Sequence, residues 1–328
     1  MYQRLSTQRP IHRTGVHVSV IICTYAEELY PHLTEAAESI LGQTYNDIEL
    51  VLVSDGSEAV YELMREDYGD RDDVIVTKTV KNVGISEARN HGIEQATGDI
   101  VAQIDDDALA EPDWVEELVA VYEETDAIAV GGRMIPAWVA GEPRFLPEEF
   151  YWLVGVTHDG FAEPMEEVRN TFGSNISFKR EVIVDLGGFE GKVGRKGDLE
   201  IQAHESELGT RLRREYSRGV IYNPDAKVAH KVFDYRTKRR WLIKRAFWQG
   251  VSKRGLETLL PEEETAEETA FLKYLLVSSL PRRLKGLVRG PSLTKARQLF
   301  WLVFLTGLVG IGYLYGIIKW RGLSPEDL

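Results

Sequence analysis

Short apolar runs rich in β-branched residues alternate with helical patterns over the first two thirds of the chain. Runs at residues 17–25, 48–54, 74–79 and 100–104 predict strands. Helical periodicity around residues 33–41, 61–68 and 85–96 predicts the helices between them. This order predicts an α/β domain with a mostly parallel, twisted sheet flanked by helices. Because ligands bind beyond the carboxyl ends of such strands, the residues that follow each strand are the candidates for chemistry.

A long apolar run near the C-terminus adds a membrane segment to this picture. Residues 299–318 include no charged side chain, and about 20 such residues are needed to cross a bilayer. Trp301, Tyr313, Tyr315 and Trp320 lie toward the ends of the run, as aromatic residues do at membrane interfaces. The run therefore predicts a transmembrane helix, and the alternative is a buried core helix.

Basic residues set the expected orientation of this helix. More cations precede it than follow it: Arg282, Arg283, Lys285, Arg289, Lys295 and Arg297 come before, and Lys319 and Arg321 come after. The positive-inside rule then predicts a single-pass protein of the cell membrane with its N-terminal domain in the cytoplasm. Residues 1–15 are polar and lack the apolar core of a signal peptide, which favours the same orientation.

The same pattern divides the chain into segments. We expect an N-terminal tail over residues 1–15, the α/β domain over 16–235, and a tail over 320–328. Between them, residues 236–297 read as basic, amphipathic helices at the membrane interface, and residues 298–319 as the transmembrane helix. Residues 271–280 are apolar but too short to span alone and include Lys273, so they also favour an interfacial helix.

Composition excludes several classes of function. The formal net charge of −13 over 328 residues argues against nucleic acid as a partner, because phosphate binding needs a basic face. One cysteine, Cys23, rules out an intramolecular disulfide and a zinc site built from several cysteines. No Gly-x-Gly-x-x-Gly follows the first strand, which argues against a dinucleotide-dependent oxidoreductase.

Three consecutive carboxylates, Asp105, Asp106 and Asp107, follow the fourth predicted strand. They would repel one another without a cation, and a hard divalent ion such as Mn²⁺ or Mg²⁺ meets that need. In an extended segment Asp105 and Asp107 point to the same side and form the expected pair. The alternative is a solvated acidic turn.

Two further motifs follow predicted strands. Asp55, in Ser54-Asp55-Gly56, can accept hydrogen bonds from a base or ribose, although Asp-Gly is also ordinary turn chemistry. In the stretch from Asn82 to His91, Gly84 allows close backbone approach, and Arg89 can offer a fork of donors to phosphate or base. The alternative for Arg89 is an ordinary surface charge on a helix.

Taken in order, these motifs resemble the family 2 glycosyltransferases over about residues 18–232. They include Val18-Ser19-Val20-Ile21-Ile22-Cys23-Thr24-Tyr25, then Asp55, then residues 82–92, then the acidic triplet before Glu111-Pro112-Asp113-Trp114. The resemblance implies the GT-A nucleotide-diphospho-sugar transferase fold, inverting transfer, a nucleoside-diphosphate sugar donor with UDP-sugars favoured, and a divalent metal. It also assigns a nucleotide site to Thr24, Tyr25, Glu27, Asp55, Asn82, Gly84, Arg89 and Asp105, and an Asp-x-Asp metal motif to Asp105 and Asp107.

The downstream half is also similar to this family, with departures. Family members carry Glu-Asp-x-x-Leu with the aspartate as general base, and the present sequence has His204-Glu205-Ser206-Glu207-Leu208. Alignment on Leu208 places Glu205 on the aspartate, but the choice between Glu205 and Glu207 stays open. The resemblance also suggests acceptor contacts at Asn175, in Gly173-Ser174-Asn175, and at His204.

Two weaker positions lie after the last predicted strand. His230 resembles the histidine that related GT-A enzymes use as a third metal ligand, and the alternative is a structural histidine. Arg240-Trp241 resembles the end of the Gln-x-x-Arg-Trp motif of processive members, which makes them candidate acceptor contacts. Thr237 replaces the glutamine of that motif, which argues against processivity and favours a basic interfacial helix.

The resemblance together with the membrane run implies transfer of one sugar to a dolichyl or polyprenyl phosphate-linked saccharide during protein glycosylation. The layout is similar to that of haloarchaeal enzymes of surface-layer N-glycosylation, some of which transfer hexuronic acids. Alternatives are direct transfer to dolichyl phosphate, a processive polysaccharide synthase, and an inactive transferase fold that serves as a scaffold.

Overall fold

The computed structural model describes residues 15–191, 195–196, 199–200, 204–259 and 266–321. The expected N-terminal tail (except residue 15) and the expected C-terminal tail from residue 322 onward lie outside this range.

The described elements follow the predicted alternation. The strands are β1 (Val18–Thr24), β2 (Ile48–Ser54), β3 (Val74–Lys78), β4 (Ile100–Gln103), β5 (Ala108–Ala110), β6 (Ala129–Trp138), β7 (Glu167–Val168), β8 (Ile176–Lys179), β9 (Arg195–Lys196), β10 (Leu199–Glu200) and β11 (Val220–Val232). The helices are α1 (Tyr30–Leu41), α2 (Glu58–Tyr68), α3 (Ile85–Gln95), α4 (Trp114–Glu124), α5 (Arg180–Asp185), α6 (His204–Tyr216), α7 (Arg239–Leu259), α8 (Ala266–Tyr274), α9 (Leu280–Arg289) and α10 (Leu293–Lys319). The four predicted strands and three predicted helices are confirmed, with ends that move by three residues or fewer.

The main sheet has the order β3-β2-β1-β4-β8-β6-β11-β5, with β7 paired to β11. β1 is parallel to β2 and β4, and β2 is parallel to β3, as expected from helical crossovers. The rest of the sheet is mixed: β8 runs antiparallel to β4 and β6, and β11 is parallel to β6 but antiparallel to β5. The expected mostly parallel order therefore holds for the first four strands, and a mixture of antiparallel and parallel ladders completes the sheet.

Both faces of the sheet are covered, which explains why β1 and β2 are apolar throughout. Alternate residues of β1 face opposite sides: Val20 and Ile22 pack with α1, α2 and α4, whereas Ile21 packs with α3, α5 and α6. Both layers lie below the carboxyl ends of β1, β2 and β4. Thr24 is the last residue of β1, and Asp55 and Asp105 come just after β2 and β4, so all three share one edge of the sheet.

A third core joins the sheet domain to the C-terminal helices. Phe150 and Leu153 pack with Leu242 of α7, Leu275, and Leu305 of α10. A carboxylate reinforces this contact, because the fully buried Glu149 accepts hydrogen bonds from Arg283 of α9 and from Ser279. Burial alone would raise the pKa of Glu149, but the hydrogen bonds from these donors outweigh burial and lower that pKa. The helices are therefore fixed to the sheet domain by packing and by an ion pair.

α10 contains the predicted membrane run and is, among the described residues, the one helix long and apolar enough to cross a bilayer. It packs along α7. A Cβ at Gly312 would lie 2.0 Å from Phe247 O, and a Cβ at Gly250 would lie 2.0 Å from Val309 O. The two backbones therefore touch, and glycine is required on both helices.

We expect Gly312→Val to separate α7 from α10 and to destabilise the protein by about 1–3 kcal/mol, the usual cost of overpacking. Gly307→Val is the matched control on the same helix, because a Cβ there meets no atom within 4 Å. Thermal unfolding in detergent measures both variants. Equal melting temperatures for the two would contradict the close contact.

Candidate active site

A cleft of about 1870 Å³ runs from the carboxyl edge of the sheet to the helices α7, α8 and α10. One end is polar and includes Asp55, Asp105, Asp107 and Glu205. The other end is lined by Phe271, Leu275 and Val309 together with other apolar residues. A single cleft thus joins the predicted nucleotide site to the C-terminal helices.

Asp55 organises the loop on the nucleotide side of the cleft. Its Oδ1 accepts hydrogen bonds from Thr79 Oγ1 and Val83 N, both at 2.8 Å, and its Oδ2 accepts one from Gly84 N at 3.0 Å. Gly84 has a φ of 91°, a conformation that favours glycine, and it precedes the first turn of α3. The carboxylate therefore shapes the loop between β3 and α3 that borders the cleft.

Arg89 of α3 joins the two sides of the polar end. Its guanidinium is buried, lies 2.8 Å from Asp105 Oδ1 and 3.4 Å from Glu205 Oε1, and stacks over Phe189. Burial disfavours the cation, but the two carboxylates outweigh burial and raise the pKa of Arg89. A Cβ at Gly173 would lie 2.1 Å from Glu205 Oε1, so any side chain at this position would displace the Glu205 carboxylate from Arg89.

The acidic triplet is a turn, so the expectation of an extended segment is wrong. Ala108 N donates to Asp105 O, and this bond closes the turn between β4 and β5. The turn separates the expected pair, because Asp105 binds Arg89 whereas Asp107 lies 3.5 Å from His230 Nε2. The β5–β11 ladder, which pairs Ala108 with His230, brings that imidazole beside Asp107.

The electrostatics of the triplet favour a bound cation. Burial and the negative charges of Asp107 and Asp105 raise the pKa of Asp106 to about 7. At Asp107, burial alone would raise the pKa, but His230 and Arg236 outweigh burial and lower the pKa below its usual value. Within the described ranges, no three His, Cys, Asp or Glu side chains lie together as a preformed metal cluster. Asp107 and His230 nevertheless supply the oxygen and nitrogen ligands that suit Mn²⁺.

The structure separates the two candidate bases. Glu205 lies in the first turn of α6 and lines the cleft. Glu207 is buried, and its two oxygens accept hydrogen bonds from Arg211 Nε and Nη2 at 2.5 and 2.8 Å. Arg211 also donates to the carbonyls of Leu186 and Gly188. Glu207 is therefore held in an ion pair within α6, and its partner Arg211 ties that helix to the loop after α5, which favours Glu205 as the candidate base.

The expected nucleotide residues line the cleft with one exception. Thr24, Tyr25, Asp55, Asn82, Gly84, Arg89 and Asp105 all do so. Glu27 does not: it begins a 3₁₀ helix after β1 and is exposed outside the cleft. Its assignment to the nucleotide site is not supported, because the chain turns away two residues after Tyr25.

Among the expected acceptor residues, only His204 lines the cleft, where its Nδ1 lies 2.7 Å from Ser86 Oγ. Asn175 is fully buried, and its amide donates to Ala226 O and accepts from Trp114 Nε1. Arg240 is exposed at the start of α7, and Trp241 packs on the third core beside Tyr235. Asn175 and Trp241 therefore serve packing and Arg240 faces solvent, so the acceptor role of these three residues stays a prediction.

Sequence reasoning missed Arg236. Its Nη1 lies 2.9 Å from His230 Nε2, and its Nη2 lies 3.3 Å from Asp107 Oδ2. Arg236 is a basic residue four positions after β11 and four before Arg240, and this position near the predicted motif is the sequence signal that could have identified it. A second missed feature is a group of ion pairs along the cleft, in which Arg169, Arg213 and Lys253 bind Glu267 and Glu268 of α8. These residues are far apart in the sequence, so no motif or spacing predicts that their side chains form ion pairs.

The sequence of this chain is similar to those of known glycosyltransferases. The model of the family described as Glycosyl transferase family 2 matches residues 19–187. A glucosyl-dolichyl phosphate glucuronosyltransferase of Haloferax volcanii is 50% identical over 302 residues, which cover 92% of this chain and 96% of that protein. A pre-mycofactocin glycosyltransferase of Mycobacterium tuberculosis is 27% identical over 206 residues, 62% of this chain and 41% of that protein.

Solved structures share the fold. The mannosyltransferase PcManGT from Pyrobaculum calidifontis, in complex with GDP-Man and Mn²⁺, superposes with a TM-score of 0.59 at 20% identity, over 94% of this chain and 87% of that one. Residues 1–349 of TarS from S. aureus, in complex with UDP-GlcNAc, give a TM-score of 0.54 at 17% identity, over 93% and 89% of the two chains. The fold is GT-A, and the chain belongs to glycosyltransferase family 2.

Proposed function

We propose that this glycosyltransferase transfers one glucuronosyl residue from a nucleoside-diphosphate donor, UDP-glucuronate in the first place, to a glucosyl-dolichyl phosphate. The observation that carries the proposal is the 50% identity to the Haloferax volcanii glucuronosyltransferase over 92% of the chain. An alignment of 302 residues leaves few residues of the chain outside it, so it includes most of α7–α10 as well as the strands that carry the predicted nucleotide site. The likeness thus extends to the apolar end of the cleft, where a lipid acceptor would bind.

Glu205 is the proposed general base. Its carboxylate takes the proton of the acceptor hydroxyl as that oxygen attacks the anomeric carbon from the face opposite the diphosphate. The new glycosidic bond forms as the bond to the leaving diphosphate oxygen breaks, so the anomeric configuration inverts. Arg89 orients Glu205 from one side, and Gly173 leaves room for the carboxylate on the other.

Asp107 and His230 are the proposed metal ligands, because the structure brings their side chains together at the polar end of the cleft. A divalent cation bound there would offset the negative charge that develops on the departing diphosphate. Arg236 contacts both side chains and supplies a further positive charge beside the same position. Asp105 is proposed to act through Arg89, which it binds.

The decisive assay measures nucleoside diphosphate release by the detergent-solubilised protein with Mn²⁺ and a panel of UDP- and GDP-sugars. Glucosyl-dolichyl phosphate and unmodified dolichyl phosphate serve as alternative acceptors. We expect release that depends on UDP-glucuronate and on the glucosylated lipid. Release that depends on dolichyl phosphate alone would establish direct transfer instead, and donor binding without release from any pair would favour a scaffold.

Substitution of the base provides a matched pair. Glu205→Gln removes the proton acceptor at constant shape, and we expect kcat to fall by roughly 10²–10⁴-fold with donor affinity unchanged. Glu207→Gln weakens a structural ion pair, so we expect a lower melting temperature but a kcat within a few-fold of the parent. Single-turnover kinetics and donor titration measure both variants. The reverse pattern would move the base to Glu207.

Substitution of Asp107 tests the metal assignment without an activity readout. We expect calorimetric titration of the parent with UDP-glucuronate to show at least tenfold tighter binding with Mn²⁺ than with EDTA, and Asp107→Asn to lose that difference. Asp113→Asn is the control, because Asp113 is exposed at the start of α4. Retention of the metal effect in Asp107→Asn would remove Asp107 from the metal site.

A further inference from the structure

α7 accompanies α10 through the second half of its apolar run. The helices run in the same direction, since Gly250 meets Val309 at the middle of the run and Gly255 meets Trp320 just past its end. Trp320 Nε1 also donates to Val251 O at 2.9 Å. Wherever α10 lies relative to a membrane, the packed part of α7 lies there too.

α7 carries charges that a bilayer core does not tolerate. Its contact segment includes Lys244, Arg245, Lys253, Arg254 and Glu257. Arg254 and Glu257 form an ion pair 3.0 Å long, and Glu257 Oε2 accepts a hydrogen bond from Tyr313 Oη of α10 at 2.5 Å. Charged side chains within the hydrocarbon region are costly and rare. A transmembrane path for α10, which the apolar run predicted, would carry this charged helix into that region.

The other face of α10 is apolar and exposed. Phe300, Val303, Ile311, Leu314 and Ile318 are all more than half exposed. At 3.6 residues per turn they fall within roughly 80° of the helix circumference. The buried residues of α10 lie on the opposite side: Trp301, Leu302, Leu305, Gly312 and Gly316. Half of the helix thus faces protein and half presents an uninterrupted apolar stripe.

Further exposed apolar residues and a strong positive charge accompany this stripe. On α8, on α9 and between them, the exposed residues are Leu272, Leu276, Val277, Leu284 and Val288. Residues 269–321 include nine Lys or Arg and no Asp or Glu, in a chain whose net charge is −13. This combination of apolar stripe and basic flank matches the surface of a membrane with anionic lipids.

We infer that α8–α10 form a one-leaflet docking surface, with α10 lying in the plane of an anionic membrane and not crossing it. The stripe enters the acyl boundary, and the charged side chains of α7 stay on the aqueous side. Leu272 and Leu314 line the cleft and are also exposed on this surface. The mouth of the cleft therefore opens into the leaflet. If the acceptor is the lipid of the proposed function, on which this step rests, its chain enters the cleft sideways from that leaflet.

Labelling of single cysteines decides between the two topologies. In a Cys23→Ala background, Thr294→Cys and Arg321→Cys place thiols before and after the apolar run, and Glu66→Cys on α2 reports the side of the sheet domain. All three positions are exposed. The full-length protein is expressed in cells and treated with a membrane-impermeant maleimide before and after permeabilisation. Thermal unfolding confirms that each variant is folded.

We expect all three thiols to react only after permeabilisation, with the protein in the membrane fraction. Reaction of Arg321→Cys in intact cells, with Thr294→Cys and Glu66→Cys protected, would show that α10 crosses the bilayer and would overturn the proposal. Recovery in the soluble fraction would overturn it as well. Neither outcome depends on transfer activity, so this test stands apart from the donor and acceptor assay.

A second measurement tests the chemistry of the surface. We expect the purified protein to bind vesicles with anionic lipid at least tenfold more tightly than purely zwitterionic vesicles, and this preference to shrink as salt is raised. Ile311→Glu places a charge in the apolar stripe and should weaken binding to both kinds of vesicle. Thr294→Glu lies outside the stripe and should leave binding to zwitterionic vesicles unchanged. Equal affinity for the two kinds of vesicle would remove the basic flank from the proposal.

Discussion

The buried guanidinium of Arg89 is the contact on which the polar end of the cleft depends. It holds Asp105 at the end of β4 and Glu205 at the start of α6, two carboxylates from distant parts of the chain. A buried cation is tolerated only with such partners. The surrounding chain leaves room for it, through Gly173 on one side and the ring of Phe189 on the other. Arg89 therefore fixes the distance between the nucleotide side and the proposed base.

The mixed half of the sheet supplies the remaining groups. The antiparallel pairing of β5 and β11 carries His230 to Asp107, and the chain after β11 then brings in Arg236. β11 leads through Arg236 into α7. The positions of His230 and of the helices at the apolar end of the cleft therefore depend on one continuous segment of the chain. One continuous stretch of chain thus connects the proposed metal site to the apolar end of the cleft.

The sequence predicted the first four strands, their helices and most of the nucleotide side, because β-branched runs and residues after strand ends carry that information locally. It could not choose between Glu205 and Glu207, since two residues along a helix turn the side chain by roughly 200°. Asn175 matched a motif but is occupied by buried hydrogen bonds. Arg236 and the packing of α10 on α7 depend on contacts between distant segments, which hydropathy and motifs do not report.

The proposed reaction is a single displacement assisted by one carboxylate, Glu205, at the polar end of the cleft. The anomeric configuration of the product tests this most directly. Proton NMR of the sugar linkage formed from an α-linked nucleoside-diphosphate donor should show the coupling constant of a β-linkage, because one displacement inverts the centre. An α-linked product would require a second displacement or a different mechanism, and would contradict the role given to Glu205.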